Sequence, residues 1–446
     1  METKDYREHL RRNFSLAYPV MLSQLGHVMV GVADSVMVGQ LGAIPLASVS
    51  LGSGLFHVLM LFAIGVSYSV TPLVAAADGE GDYKRSSVLL KHAFYVNMVL
   101  GVILAIGLSL SSGVLNYFDQ EEEVLVLAIP YLTIISFSII PITLFQTFRQ
   151  FAEGLSSTKP AMVISVLGNL ANVGLNYILI FGKLGFPEMG VNGAALATLI
   201  SRVLIGIGMM LYVFKSGHFS NALKSFSWSG FQSKISNQLL KIGVPSGLQF
   251  IFEAGAFAMA AVMVGWIGAK QLAAHQIALN LAAITYMTAT GISAAATIRV
   301  GNQLGKKDIP TLRVAGNTCF IMVVVMMSVF GLIFILYNEL LPSLYIDDPE
   351  VIGYAATLLI IAAFFQISDG VQVVGLGALR GLADVKIPTI VTLFAYWIMA
   401  LPIGYYMGIR MDLGANGIWF GLLIGLSISA VAQFSRFRKL TKELLN

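Results

Sequence analysis

Asp34, Glu253 and Asp369 each stand inside a long apolar run, and each brings an ionisable group where the chain otherwise avoids one. Glu253 is the plainest case, because FIFEAGAFAMAAVMVGW, from Phe250 to Trp266, holds no other ionisable side chain. A carboxylate at the centre of a bilayer costs about 2.5–3.5 kcal/mol on insertion scales. Three such costs demand a use. An ionised carboxylate beside amide or hydroxyl oxygens, or beside an aromatic face, suits Na⁺, H⁺ or an organic cation. Around Asp34 the matching groups are Asn172 and Asn176, four apart and so on one helix face, with Thr198 entering from the same side. Around Glu253 and Asp369 the aromatic is Tyr286. Acids inside a membrane default to function; the asparagines serve equally well as hydrogen-bonding glue between helices.

The elements that must hold these groups follow from composition. The chain has 446 residues, 57% hydrophobic and only 11% charged, with mean hydropathy +0.81. Soluble domains carry about 25% charged residues, so the segments are read as membrane-spanning. Twelve apolar runs reach the roughly 20 residues a helix needs to cross. All of the 27 Lys and Arg, except Lys183, Lys270, Arg410 and the intramembrane Arg202, fall at the termini or after even-numbered spans. That bias predicts a multi-pass protein of the cell (inner) membrane with both termini cytoplasmic. The opposite loops are acidic, as in DQEEE and DDPE. The net charge of +4 therefore reports topology and anionic lipid headgroups, and no nucleic-acid partner is expected.

Other chemistries lack their residues. The single cysteine, Cys319, has no partner for a disulfide or a metal site. No HExxH is present, and His27, His57 and His275 read as packing residues. GNQLGKK, Gly301–Lys307, has the wrong spacing for a phosphate loop. Asn13-Phe14-Ser15 is a glycosylation sequon on the side expected to be cytoplasmic, where it stays idle. No enzyme activity and no cofactor is expected.

The chain repeats itself. VMVGQLGAIPLA (Val36–Ala47) and VMVGWIGAKQLA (Val262–Ala273) agree at eight of twelve positions, and the same offset aligns Pro19 with Pro245 and Gly65 with Gly291. GVNG (Gly190–Gly193) likewise matches GANG (Gly414–Gly417). Two six-span copies with the same orientation, 1–225 and 226–446, are related by an axis along the membrane normal. The polar stretch 216–237 reads as their linker. Two half-bundles of this kind enclose a cleft and support alternating access. The acids break the symmetry: Asp34 faces Ala260, Glu253 faces His27 and Asp369 falls near Ile142. A scaffold that is duplicated while its acids are not suggests that the acids serve cargo or ions.

DSVMVGQLG after Asp34, PSGLQFIFEAGAF around Glu253 and SDGVQVVGLGALRG after Asp369 occur in order on the expected spans. Through them the chain resembles the multidrug and toxic compound extrusion (MATE) family, in its NorM-like branch, over essentially its whole length. The resemblance implies an all-α integral membrane protein of twelve helices, in two pseudo-twofold-related six-helix lobes forming a V-shaped cleft. It implies a monomer that exports cationic, amphipathic, drug-like molecules in exchange for Na⁺ or H⁺. By the same resemblance Glu253 and Asp369 match cation-binding acids, with Na⁺ as the favoured ion, and Tyr286 an aromatic beside that cation. Asp34, Asn172, Asn176 and Thr198 match a polar first-lobe site. Asp348, in the DDPE loop, matches an acid near bound drug, and helix capping explains it equally well. The competing expectation is a flippase for lipids or lipid-linked oligosaccharides. That cargo favours Arg or Lys to hold phosphate, against one buried base, Arg202, and three buried acids.

Overall fold

The computed structural model describes residues 3–117 and 120–445, so Asp119 of the DQEEE loop lies outside the described residues. Those residues are helical with no strand. Twelve helical spans among them are long and apolar enough to cross a membrane. The third is Tyr83–Leu110, the fifth Lys159–Phe181, the sixth Gly190–Lys215, the ninth Ile309–Leu336 and the tenth Pro349–Gly381. The protein is thus an all-α, multi-pass membrane protein. Several spans exceed the bilayer, the second (Ala43–Glu80) running 38 residues against about 20 needed.

Spans two and four (Glu122–Gly154) are each broken once, between Ser67 and Val70 and between Ser136 and Ile139. Serines flank both breaks and explain them. Ser69 Oγ donates to Val66 O at 2.9 Å and Ser136 Oγ to Thr133 O at 2.7 Å. A hydroxyl that bonds back onto its own turn competes with the helix ladder.

Packing divides the chain into two compact units: a first unit, Leu22–Gly247, and a second, Met1–Met21 with Leu248–Asn446. These do not coincide with the sequence halves 1–225 and 226–446. The divisions fall inside span one (Tyr6–Gly39) and span seven (Ser233–Ile267), at positions equivalent in the repeat. Each lies just beyond the equivalent prolines, Pro19 and Pro245. The start of span one packs in the second unit, where Ala17 and Met21 join Ala289 and Ile292 in one core. There Asn13 donates to Thr318 Oγ1 at 2.7 Å and to Ala315 O at 3.1 Å. Its side chain is fully buried. Reciprocally, the start of span seven packs in the first unit, Gly243 against Val66 and Gly247 against Phe62. Length along the chain cannot show this, because an exchanged helix start looks the same in sequence as a retained one.

The stretch read as a linker is docked onto the first unit. Lys91 Nζ donates to Ser229 O and Gly230 O, both at 2.6 Å, and Tyr95 to Trp228 O at 2.7 Å. The Gln232 amide donates to His92 Nε2 at 2.8 Å. The Trp228 ring meets Phe94 and Phe226 edge-on, with centroids 5.0 and 4.8 Å apart. Phe226 and Trp228 give an otherwise polar segment enough apolar surface to bury.

Spans eleven (Lys386–Arg410) and twelve (Gly414–Glu443) meet along a seam of small residues. Gly417, Gly421 and Gly425, each four apart, face the backbone of Gly408, Gly404 and Ala400. Small residues at this spacing let two helix backbones touch. Span eleven widens to π-helical turns at Phe394–Ala400 and Tyr406–Arg410. Pro402 lies just past the first, and a wider turn relieves the clash of its ring with the preceding carbonyl. Gly421→Leu is expected to abolish the monodisperse size-exclusion peak of detergent-purified protein, while Phe420→Leu, on the exposed face, leaves it. Overpacking costs about 1–3 kcal/mol, and at Gly421 the obstruction is backbone, which cannot rotate away. A native-like peak from Gly421→Leu would refute the seam.

Candidate functional site: two buried polar clusters, one in each unit

The first unit gathers all four residues that the sequence singled out there. Asn176 Nδ2, on span five, donates to Asp34 Oδ1 of span one at 2.5 Å and to Asn172 Oδ1 at 3.2 Å. Asn172 Nδ2 reaches Thr198 Oγ1 at 3.4 Å and Ser201 Oγ at 3.3 Å, both on span six. Span five positions its two asparagines through the i, i+4 relation. Spacing alone did not pick out Ser201, three residues after Thr198, although the same helix-face rule predicts their meeting. Asn172, Asn176, Thr198 and Ser201 are buried and Asp34 half-buried. Asn176 Oδ1 has no hydrogen-bond partner among the described residues.

Arg202 lies beside this cluster, its Nη1 donating to Ser138 Oγ at 2.5 Å and its guanidinium 4.9 Å from the Phe56 ring centroid. Its charge is felt at Asp34. One carboxylate with amide and hydroxyl oxygens is a hard-donor set suited to a small cation or a proton.

In the second unit Glu253, on span seven, and Asp369, on span ten, are 6% and 5% exposed and electrostatically coupled. Asp369 Oδ1 has no hydrogen-bond partner among the described residues. Tyr286, on span eight (Ala269–Gly305), packs on the core that also takes Met322, Met326 and Phe330, and it is coupled to Tyr396. Sequence reasoning missed two members. Tyr396 sits in the first π segment of span eleven, donates to Gln372 Oε1 at 2.9 Å and is electrostatically coupled to Glu253 and Asp369. Gln372 lies three residues after Asp369, a spacing that could have flagged it. No periodicity flags Tyr396, because the π turn shifts its register.

Burial of charge is wider than expected from distance to span ends. Lys91, Arg149, Arg299 and Arg380 are buried, as is Glu153, so Arg202 is not the one buried base and the acids number more than three. Span ends that project beyond the bilayer still pack against neighbours. Lys91 is held by the linker carbonyls, Arg149 by Glu153 at 2.7 Å, and Arg299 by His9 at 2.7 Å. Arg380 lies on span ten, within electrostatic reach of Glu253.

Asp348 caps the helix Pro349–Gly381, accepting from the Glu350 amide at 2.9 Å, and lies 3.6 Å from Lys270 Nζ. That backbone N–H, with Lys270 behind it, holds its carboxyl below the usual carboxylate range. Among the described residues no hydrogen bond or ion pair joins Asp348 to Glu253 or Asp369. His275 is buried and accepts from Trp419 Nε1 at 3.0 Å, as a packing histidine does, whereas His57 is exposed, its Nδ1 2.6 Å from Ser53 O one turn back on its own helix. No cluster of three or more His, Cys, Asp or Glu suited to a metal occurs among the described residues.

The family profile MatE matches residues 19–178 and 245–406, once in each half. Multidrug resistance protein NorM of Photobacterium profundum is 34% identical over 438 residues, covering 97% of this chain and 96% of that protein. Multidrug resistance protein MdtK of Yersinia pseudotuberculosis serotype O:1b is 33% identical over 443 residues, covering 98% and 97%. Among solved structures, a eukaryotic MATE transporter superposes with TM-score 0.88 at 20% identity, over 99% of both chains. That likeness establishes the fold.

Proposed function

The chain belongs to the MatE family, and from that premise we propose that it is a secondary multidrug exporter, not an enzyme, which expels cationic amphipathic compounds in exchange for Na⁺ or H⁺ by alternating access. The observation that carries this reading is the pair of buried carboxylates Glu253 and Asp369, neither of which has an acidic counterpart in the repeat. Ionised, they attract a lipophilic cation. Met322, Met326 and Phe330, which pack on the same core as Tyr286, are side chains of the polarizable, adaptable kind that suits cargo of varied shape. A Na⁺ or proton arriving at the same oxygens removes their negative charge and weakens the hold on cargo. Cargo and coupling ion compete, so the gradient of one drives the other. Exchange of cation for cation limits the electrical cost, which for net movement of one charge is about 2.3 kcal/mol per 100 mV.

In this reading the polar set around Asp34 is a second site for the same ions, Asp348 contributes through its helix cap at the rim, and the termini face the cytoplasm of a cell whose inner membrane holds the protein. The bases that would grip a phosphate cargo are for the most part held by protein partners, which disfavours a lipid or oligosaccharide flippase. Purified protein in liposomes loaded with a fluorescent lipophilic cation tests this, with sodium and proton gradients imposed separately. Efflux driven by at least one gradient is expected. Efflux driven by neither, with movement of labelled phospholipid instead, would overturn the exporter in favour of the flippase.

A further inference from the structure

We infer that Gln366 supplies a neutral amide oxygen to Na⁺ at the Glu253 and Asp369 site, and so helps decide which small cation displaces the cargo. The inference rests on the exporter reading and names, within it, the ion and a further ligand.

Gln366 stands one helical turn before Asp369 on span ten, and residues three apart on a helix are neighbours, with about 5–6 Å between Cβ atoms. It is 1% exposed, yet neither its Oε1 nor its Nε2 has a hydrogen-bond partner among the described residues. Burying an amide without such a partner is costly. A glutamine that glues helices together bonds across to a neighbouring helix, and this one does not. Asp369 Oδ1 and Gln372 Nε2 are open in the same way. Unpaired polar atoms thus recur at 366, 369 and 372, on successive turns of one helix.

The neighbours of span ten fix where those groups point. On one side Phe365 packs against the Phe257 and Trp419 rings, with centroids 6.1 and 5.5 Å away. On the other, a Cβ at Gly370 would stand 2.7 Å from Val323. With about 3.6 residues per turn, Gln366 and Asp369 both fall in the arc between. Span eight closes that arc, where Ser293 Oγ donates to Val373 O at 2.7 Å and Thr297 Oγ1 to Gly377 O at 2.8 Å. Both bonds join residues 80 apart, so the two helices run parallel. The same offset sets Gln366 level with Tyr286, and Asp369 level with Ala289, whose side chain has no donor to offer.

The chemistry selects among cations. A proton needs one oxygen. A hard metal ion needs several, and takes them from carboxylates and from Asn or Gln carbonyls alike. An organic cation is held by charge and by aromatic faces, and makes no use of a buried amide oxygen. Gln366 therefore adds a ligand without adding charge, which favours Na⁺ over the cargo at a site both can enter.

The test is binding of a fluorescent lipophilic cation to full-length protein in nanodiscs, in sodium-free potassium buffer at fixed alkaline pH, followed by titration with Na⁺. Native protein is expected to bind the dye and release it as Na⁺ rises. Gln366→Met, of similar length but without the oxygen, should raise the Na⁺ concentration for half-release by about 10- to 100-fold, the scale of one lost interaction with a charged group. Its dye affinity in sodium-free buffer should stay native, whereas a merely structural role would disturb both readings. Gln366→Glu, which keeps an oxygen in place, should release the dye at near-native Na⁺. If Gln366→Met is not monodisperse, Gln366→Ala, which needs less room, carries the same expectation. Release at native Na⁺ without the amide, or loss of dye affinity together with the Na⁺ response, overturns Gln366 as a ligand and leaves the exporter reading standing. Native protein that releases the dye to acid but not to Na⁺ overturns the inference and leaves a proton exchanger. Native protein that binds no dye overturns the exporter reading, and the inference falls with it.

Discussion

Asp369→Asn and Glu253→Gln are each expected to reduce gradient-driven efflux from proteoliposomes to the rate of protein-free vesicles, while both variants still insert and run as monodisperse protein. Each substitution keeps the side chain's size and removes its charge. Both acids are nine-tenths buried or more, where a lost charge cannot be replaced by solvent. Truncating one partner of a buried charge pair costs about 2–5 kcal/mol, or roughly 30- to 4,000-fold in affinity, and here the missing partner is the cargo or the coupling ion. Asp34→Asn should weaken transport less, because Asp34 is half-buried and Asn176 already satisfies one of its oxygens. Fluorescence efflux under an imposed sodium or proton gradient measures the effect. Native rates from both second-unit variants would remove the carboxylates from the mechanism.

The second large effect concerns stability. Arg149 and Glu153 form an ion pair at 2.7 Å with each side chain only 3% exposed, on the second half of span four. Glu153→Leu strands a guanidinium in a packed interior, and breaking a buried pair from one side costs about 3–5 kcal/mol. The expected result is a large fall in the temperature at which half the detergent-solubilised protein leaves its size-exclusion peak. The double variant Arg149→Met with Glu153→Leu should recover most of the loss, since replacing both partners with apolar groups is near neutral. A single variant as heat-resistant as the native chain would show that the pair is not a structural element.

The helical architecture was legible because bilayer solvation imposes long apolar runs, and the duplication because VMVG recurs at a fixed offset with its prolines. The first polar cluster was legible for a similar reason. Asn172, Asn176 and Thr198 are conspicuous in apolar surroundings, and their helical spacing lets them converge on Asp34. Glu253 and Asp369 announced themselves by their insertion cost. Tyr396 escaped because its placement depends on a widened turn, a backbone feature no residue period encodes. Arg149, Arg299 and Arg380 escaped because distance from a span end does not measure how tightly that end is packed. The docked linker escaped because its polar average hides Phe226 and Trp228, whose rings anchor it.

The reciprocal exchange of helix starts sets an order of events during synthesis. Leu16, Ala17 and Met21 leave the ribosome well before the side chains that receive them, which run from Ala289 to Phe437. The beginning of the first helix must therefore wait, without its final neighbours, until nearly the whole polypeptide has been inserted. Severing the gene at codon 225 would strand each fragment with a guest helix end and a vacant berth, so neither product could mature without the other.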